Sequence, residues 1–134
     1  VAALQAAQEL HENPALLPVI ADAYRGLRRW TAVERVWNQI KAASPAHDVL
    51  AEGRIVMANS LADRGDVSGA IAVMLEGRRQ PKRVREHHLR EWYAIGDLYD
   101  RAGDTIAARR WFGGVADVDP EFVDVMERLR GLGR

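Results

Sequence analysis

The apolar residues of this chain recur at the spacing of an α-helix, and sustained strand-like alternation is absent. Over residues 89–102, placing successive residues about 100° apart separates an apolar arc from a polar one. This segment is therefore predicted to form an amphipathic helix. Its apolar arc contains Leu89, Trp92, Ile95, Gly96, Leu98, Tyr99 and Ala102, and its polar arc contains Arg90, Tyr93, Asp97, Asp100 and Arg101.

A second helix is predicted over residues 105–118. Gly103 can end the preceding helix in a left-handed conformation, and Asp104 can cap the next one by accepting hydrogen bonds from free backbone N–H groups. Pro120 cannot continue a helix from within and so closes the unit. The two helices and their turn form a predicted helical hairpin.

The same pattern occurs twice more along the chain. The segment from Leu61 to Asp66 matches the segment from Tyr99 to Asp104 at an offset of 38 residues, and Tyr24 precedes Leu61 by 37. Three hairpins are therefore predicted, at about residues 14–45, 48–81 and 85–119. We also predict a partial repeat at about 1–12 and a capping helix at about 120–131.

The third hairpin resembles the tetratricopeptide repeat (TPR). It carries, at the spacings of that motif, Trp92, Ile95, Gly96, Tyr99, Ala108, Phe112 and Pro120. The resemblance implies an all-α fold, with tandem antiparallel hairpins stacked as a right-handed α-solenoid in a single domain over residues 1–134. The repeat offsets exceed the family's usual ~34 residues. Extra residues are therefore expected near positions 46–50 and 82–88.

The resemblance also implies a function. In this family the first helix of each hairpin lines a concave groove that receives a peptide or a partner protein, so we expect a scaffold and not an enzyme. Tyr93 is an aromatic on an otherwise charged face, and its ring could contact a partner or pack against a neighbouring hairpin. By position, the groove residues are Asp22, Arg25, Glu52, Asn59, Asp63, Arg90, Tyr93, Asp97, Asp100 and Arg101.

The composition of the chain limits the kinds of partner and chemistry that it can have. Formal net charge is zero, which gives no overall attraction to nucleic acid or anionic membrane. The chain has no cysteine, which excludes disulfides, thiol catalysis and thiolate metal sites and suits a reducing cytoplasm, where we expect the protein to reside. No metal, cofactor or membrane span is predicted. The Arg-rich, Ala-rich composition favours a bacterial source, and the start at Val1 suggests a fragment of a longer chain.

Two other kinds of binding stay open. A basic run between the second and third hairpins could contact RNA or another polyanion, although no aromatic residues are interleaved with it for base stacking. A severed half-repeat at residues 1–10 would leave an apolar side uncovered and favour a homodimer. The basic run contains Arg78, Arg79, Lys82, Arg83 and Arg85.

Overall fold

The computed structural model describes residues 13–43, 45–76 and 80–133. Over these residues the chain forms helices and no strand, which confirms the expected all-α class. A single 3-10 turn, Pro14–Leu16, precedes the first helix. The helices are α1 (Leu17–Gly26), α2 (Trp30–Ala43), α3 (His47–Asp63), α4 (Val67–Glu76), α5 (Glu86–Arg101), α6 (Thr105–Val118) and α7 (Val125–Leu132). The partial repeat expected at residues 1–12 lies outside the described residues.

The described helices fall at or near the positions of the three predicted hairpins, with α3 starting at His47 and α4 described to Glu76. The extra residues expected near positions 46–50 belong to α3, which has 17 residues. Those expected near 82–88 form a non-helical segment at 80–85 and the first turn of α5. None of the described helices is long and apolar enough to cross a membrane.

The chain divides into two compact units, Val1–Ser60 and Leu61–Arg134, with the boundary inside α3. In the first unit α1 packs against α2. In the second unit α5 packs against α4 and α6, and α6 packs against α7. Helices α1 and α2 in the first unit, and α4 to α7 in the second, therefore pack against their neighbours in sequence.

The turns between paired helices repeat the same backbone hydrogen bond. The N–H of Arg29 donates to the carbonyl of Tyr24 at 2.9 Å. The corresponding bonds, Asp66 to Leu61 and Asp104 to Tyr99, have the same length. Each bond closes a helix C-terminus on a carbonyl five residues back, as in the Schellman motif. The three turns predicted from the repeat offsets are therefore alike in conformation.

Two of the turns also cap the following helix. The Asp104 carboxylate accepts from the N–H of Ala107 at 3.1 Å, as the sequence predicted. The Asp66 carboxylate accepts from the N–H of Gly69 at 2.8 Å. Each aspartate satisfies one of the free N–H groups at a helix start. The corresponding residue of the first turn is Arg29, whose side chain has no acceptor atom.

The core of the first unit lies around Trp37 and Ile40, both buried. A Cβ added to Gly53 would lie 2.7 Å from Ile40 Cδ1 and 3.2 Å from a Trp37 ring atom, so α2 and α3 approach closely there. The Lys41 ammonium and the Arg54 guanidinium lie 5.3 and 5.1 Å from the Trp37 ring centroid, within cation–π range.

The core of the second unit depends on one close approach between α5 and α6. A Cβ added to Gly96 would lie 2.9 Å from Cδ1 of Phe112, whose side chain is completely buried. Glycine at this crossing lets the aromatic ring lie directly on the α5 backbone. The buried cluster around this contact contains Leu89, Ala108, Phe112, Val115 and Val125.

The last helix begins later than expected. Residues 119–124 form turns, with the N–H of Phe122 donating to Asp119 and that of Val125 to Phe122. Val123 has a φ of 49°, a left-handed value that interrupts any helix running on from Pro120. Helix α7 therefore begins at Val125.

Candidate functional site

The candidate site is on the α5 face that carries Tyr93, Asp97 and Asp100. These residues are spaced four and three apart, so their side chains lie on one side of the helix. In the structure all three meet Arg128 of α7. The sequence placed the three on one polar face, and the structure brings them together around a single cation.

Arg128 binds this face through both terminal nitrogens. Its Nη2 donates to Asp97 Oδ1 at 2.8 Å and to Asp100 Oδ2 at 3.0 Å. Its Nη1 donates to the Tyr93 hydroxyl oxygen at 3.1 Å. The guanidinium carbon lies 4.7 Å from the Phe112 ring centroid. A planar cation is thus held between two carboxylates and an aromatic ring, which is the environment that suits arginine better than lysine.

The protonation of Arg128 follows from these contacts. Partial burial alone would lower its pKa, but the hydrogen bonds to Asp97 and Asp100 outweigh burial and raise it above its usual value. The side chain retains 23% exposure. Arg128 therefore carries its charge at any pH at which the protein is folded.

Tyr93 is half-buried and makes polar and aromatic contacts at once. Its hydroxyl donates to the carboxylate of Asp124. Its ring meets Phe112 edge-on at a centroid distance of 5.3 Å and Phe122 at 6.3 Å. Burial of the phenol and the hydrogen bond to Asp124 both disfavour the phenolate, so the pKa of Tyr93 is raised. The ring thus packs within its own helix pair and against the segment that follows it, whereas a role in contacting a partner stays a prediction.

Asp124 stands at the residue before α7, where an aspartate would ordinarily cap the helix. Its carboxylate makes no capping hydrogen bond and accepts from Tyr93 instead. With Asp97 and Asp100 it brings three carboxylates to the neighbourhood of the Arg128 guanidinium.

The other predicted groove residues of the second unit are Asp63, Arg90 and Arg101. Arg101 Nη2 is 3.8 Å from Asp63 Oδ1, which links the end of α5 to the end of α3. Arg90 is exposed, one turn before Tyr93. Surface ion pairs of this kind contribute little to stability.

The groove residues of the first unit lie on α1 and α3. Asp22 and Arg25 form an ion pair at 3.0 Å along α1 and are partly exposed. Glu52 and Asn59 are half-buried on α3. Within this unit the structure brings Asp22 and Arg25 together, and the whole set stays a prediction as a partner-binding surface.

Arg128 and Asp124 are not among the residues predicted from the sequence. Their spacing of four is one at which residues of a helix can pair, but Asp124 precedes α7 and its carboxylate accepts from Tyr93. No pattern in the sequence, however, indicated that their partners would lie on α5. Their contacts with α5 depend on the position of α7, which follows the left-handed residue Val123.

Only part of the basic run lies among the residues that the structure describes. Arg78 and Arg79 fall outside the described residues. Lys82, Arg83 and Arg85 are exposed on the segment before α5. The N–H of Arg85 donates to Nδ1 of His88 at 2.8 Å, which satisfies one backbone group near the start of α5.

No group of three or more possible metal ligands occurs among the residues that the structure describes. Comparison with known proteins adds no assignment. No protein-family model matches the chain. No curated protein sequence matches it with significant similarity.

Proposed function

We propose that the chain is a protein-interaction module of the tetratricopeptide type, whose helix pairs stack as a right-handed α-solenoid. In this proposal the protein is a cytoplasmic scaffold that binds a peptide or partner protein and catalyses no reaction. The α5 face with Tyr93, Asp97 and Asp100 is its partner-binding surface in the second unit. Asp22, Arg25, Glu52 and Asn59 serve the same role in the first.

One observation carries the proposal. The α5 face already holds a separate helical segment of the same chain through charge-assisted hydrogen bonds from Arg128 and aromatic contacts of Tyr93. Charge-assisted hydrogen bonds are stronger than those between neutral groups, and tyrosine and arginine are enriched where protein surfaces bind tightly. A face built in this way has the chemistry to recognise a polypeptide.

The proposal is tested by affinity purification from the source cells, with this chain as bait at low and moderate salt. Reversing the charge of the face with Asp97→Lys and Asp100→Lys is expected to remove the partners that the unaltered chain retains. Asp117→Lys is the control, because it reverses an exposed aspartate on a different helix, α6. Circular dichroism verifies that both variants are folded. Retention of every partner by the charge-reversed chain would contradict the assignment of the binding face.

A second candidate function rests on the basic segment before α5. Lys82, Arg83 and Arg85 are all exposed within four residues, and such a segment can contact phosphates of RNA or another polyanion. Binding by this segment would weaken steeply with salt and would be lost in a Lys82→Glu, Arg83→Glu, Arg85→Glu chain. Unchanged binding in that chain would eliminate this function.

A further inference from the structure

Helix α1 carries a row of exposed apolar side chains along one side. Leu16, Val19, Ala23 and Leu27 are three or four residues apart, a spacing that places them on the same side of a helix. Val19 and Leu27 are 67% and 64% exposed, Leu16 is 40% exposed, and Ala23 is exposed as well. These four residues, called the α1 row below, form an apolar patch of the kind that marks an interaction surface.

The corresponding row is buried in the next helix pair. At the offset of 37 residues, the α1 row corresponds to positions on α3 that include Gly53, Val56 and Ser60. Val56 is 7% exposed and Ser60 is completely buried. A Cβ on Gly53 would collide with Ile40 of α2, so the second helix of the preceding pair lies against this side of α3.

The third helix pair follows the same rule. Ser60 corresponds to Leu98 of α5, which is completely buried, and α5 packs against α4, the second helix of the pair before it. In α1 the equivalent residue is Ala23, which is exposed. Helix pairs of a repeat bury their apolar sides by stacking on one another. The α1 row therefore has the position and the chemistry of a surface that takes one more helix.

Residues 1–12 immediately precede α1 and have an amphipathic sequence. Placed about 100° apart, the positions of Gln5, Gln8, Glu9 and Glu12 form a polar arc, whereas the opposite arc is apolar apart from His11 at its edge. Alanines dominate that apolar arc, and small side chains allow two helices to approach closely while larger neighbours fill the remaining space. The apolar arc includes Ala3, Leu4, Ala6, Ala7 and Leu10.

The connection to α1 suits an antiparallel arrangement. Asn13 has a non-helical backbone, and the 3-10 turn Pro14–Leu16 follows it, so residues 13–16 separate residues 1–12 from α1. The connection between α2 and α3, residues 44–46, is of similar length. At 1.5 Å per residue, a helix over residues 1–12 would be about 17 Å long, which is also the span of the α1 row. An antiparallel alignment about the turn places Leu10 beside Val19 and Ala6 beside Ala23.

We infer that residues 1–12 form a helix that packs antiparallel on the α1 row, in the place that α2 takes on α3. The row is then an intramolecular docking surface, and its apolar side chains are closed to a second copy of the chain. This inference goes beyond the proposed function, because it concerns a contact within the first unit and requires no external partner.

Disulfide trapping in the full chain tests the arrangement, since the sequence contains no cysteine that would compete. Ala6→Cys with Ala23→Cys places two thiols at the expected contact, and Gln8→Cys with Ala23→Cys is the control because Gln8 lies on the polar arc. A disulfide requires a short separation of the two Cα atoms, so in a glutathione buffer we expect the first pair to close within one chain at least about tenfold faster than the control. Alkylation of the remaining thiols followed by mass spectrometry measures both rates.

Two results of the trapping experiment would overturn the inference. Equal rates for the two cysteine pairs would show that residues 1–12 do not lie on α1 in the proposed orientation. A disulfide that joins two chains, recognised by its doubled mass, would assign the α1 row to a second copy.

Thermal unfolding of cysteine-free variants gives an independent readout. Val19→Asp places a charge beneath the proposed helix, so we expect the unfolding midpoint to fall by roughly 3–6 °C, although Val19 is 67% exposed. Ile106→Asp is the control, because Ile106 is 72% exposed on α6, and it should shift the midpoint by less than about 1 °C. Leu10→Asp should produce a similar loss that does not add to that of Val19→Asp. Equal shifts for Val19→Asp and Ile106→Asp, or fully additive losses, would contradict the inference.

Discussion

Arg28 takes, at a φ of 60°, the turn position that Gly103 takes at a φ of 82° in the third helix pair. Each residue follows a tyrosine by four positions, Tyr24 in one turn and Tyr99 in the other. A left-handed conformation has no steric cost for glycine and is unfavourable for arginine. The Arg28 guanidinium lies 5.8 Å from the Trp30 ring centroid, a contact that offsets part of the difference.

We expect Arg28→Gly to raise the free energy of unfolding by about 0.5–1 kcal/mol, because it removes backbone strain and loses one exposed cation–π contact. Chemical denaturation measures the change. Gly103→Ala is the matched variant and is expected to lower stability by about 1 kcal/mol. A Cβ on Gly103 has no atom within 4 Å, so this loss reports backbone conformation alone. A less stable Arg28→Gly chain would contradict the explanation.

The contact between Gly96 and Phe112 leads to a second prediction. Alanine at position 96 favours the helix by about 1 kcal/mol, yet its Cβ would collide with a buried, rigid ring. Overpacking of this kind costs about 1–3 kcal/mol, so we expect Gly96→Ala to destabilise the chain. Thermal unfolding followed by circular dichroism measures the loss.

Gly113 provides the control for this prediction, since it also lies within a helix and a Cβ there meets no atom within 4 Å. Gly113→Ala should therefore stabilise the chain by about 0.5–1 kcal/mol. Adding Phe112→Leu to the Gly96→Ala chain should reduce the clash, so the changes in unfolding free energy from the two substitutions should not add. Additive effects of the two substitutions would show that they do not act through the same contact.

Tyr93 is expected to titrate at higher pH than an ordinary tyrosine, because burial and its hydrogen bond to Asp124 raise its pKa. The ultraviolet absorbance of the phenolate should therefore include a component above the usual tyrosine range, and Tyr93→Phe should remove it. Persistence of that component in the Tyr93→Phe chain would show that it does not belong to Tyr93.

The raised pKa of Tyr93 also makes the stability of the fold depend on pH. A raised pKa in the folded state means that the folded chain holds the Tyr93 proton more tightly than the unfolded chain does. The associated stability is fully present below the unfolded pKa of about 10 and is lost as pH rises through the folded pKa. Alkaline unfolding should therefore depend less on pH in the Tyr93→Phe chain over that window.

Arg128 gives the fourth prediction. Arg128→Ala leaves two partly buried carboxylates without their cation and should lower stability by about 1–3 kcal/mol, towards the lower end because the group is partly exposed. Arg128→Lys should recover only part of this loss, since an ammonium cannot reproduce the planar fork. Arg130→Ala, at an exposed position of α7, should change stability by less than about 0.5 kcal/mol.

A double-mutant cycle between Arg128→Ala and Asp97→Asn isolates the interaction itself. We expect a coupling energy of about 1 kcal/mol that decreases with added salt. Coupling indistinguishable from zero would mean that the observed geometry adds nothing to stability.

Much of the fold was predictable because local signals agree with one another. The turn of Gly103 and Asp104 and the positions of the helices follow from short-range patterns with a definite spacing. Of the predicted apolar arc of α5, Leu89, Ile95, Gly96 and Leu98 are buried, Trp92 and Tyr99 are partly buried, and Ala102 is exposed.

The candidate site was predictable only in part. The helical wheel placed Tyr93 with Asp97 and Asp100, since that grouping depends on one helix alone. It gave no indication that Tyr93 would meet Phe112 and Phe122 or that Arg128 would reach all three polar groups. Those contacts depend on the direction of the chain between α6 and α7. In that segment Val123 has a left-handed backbone conformation, which a β-branched residue rarely adopts and which the sequence therefore does not predict.

The repeated turn has a consequence for how such a chain can change in length. Each turn closes on its own backbone, through a hydrogen bond between residues five apart, and takes no side chain from another helix pair for that bond. A gene duplication or deletion with breakpoints at equivalent turns would therefore join two chain segments that form the same kind of turn. An inserted or deleted unit of 37 or 38 residues, natural or engineered, would therefore keep the turn conformation at both of its ends.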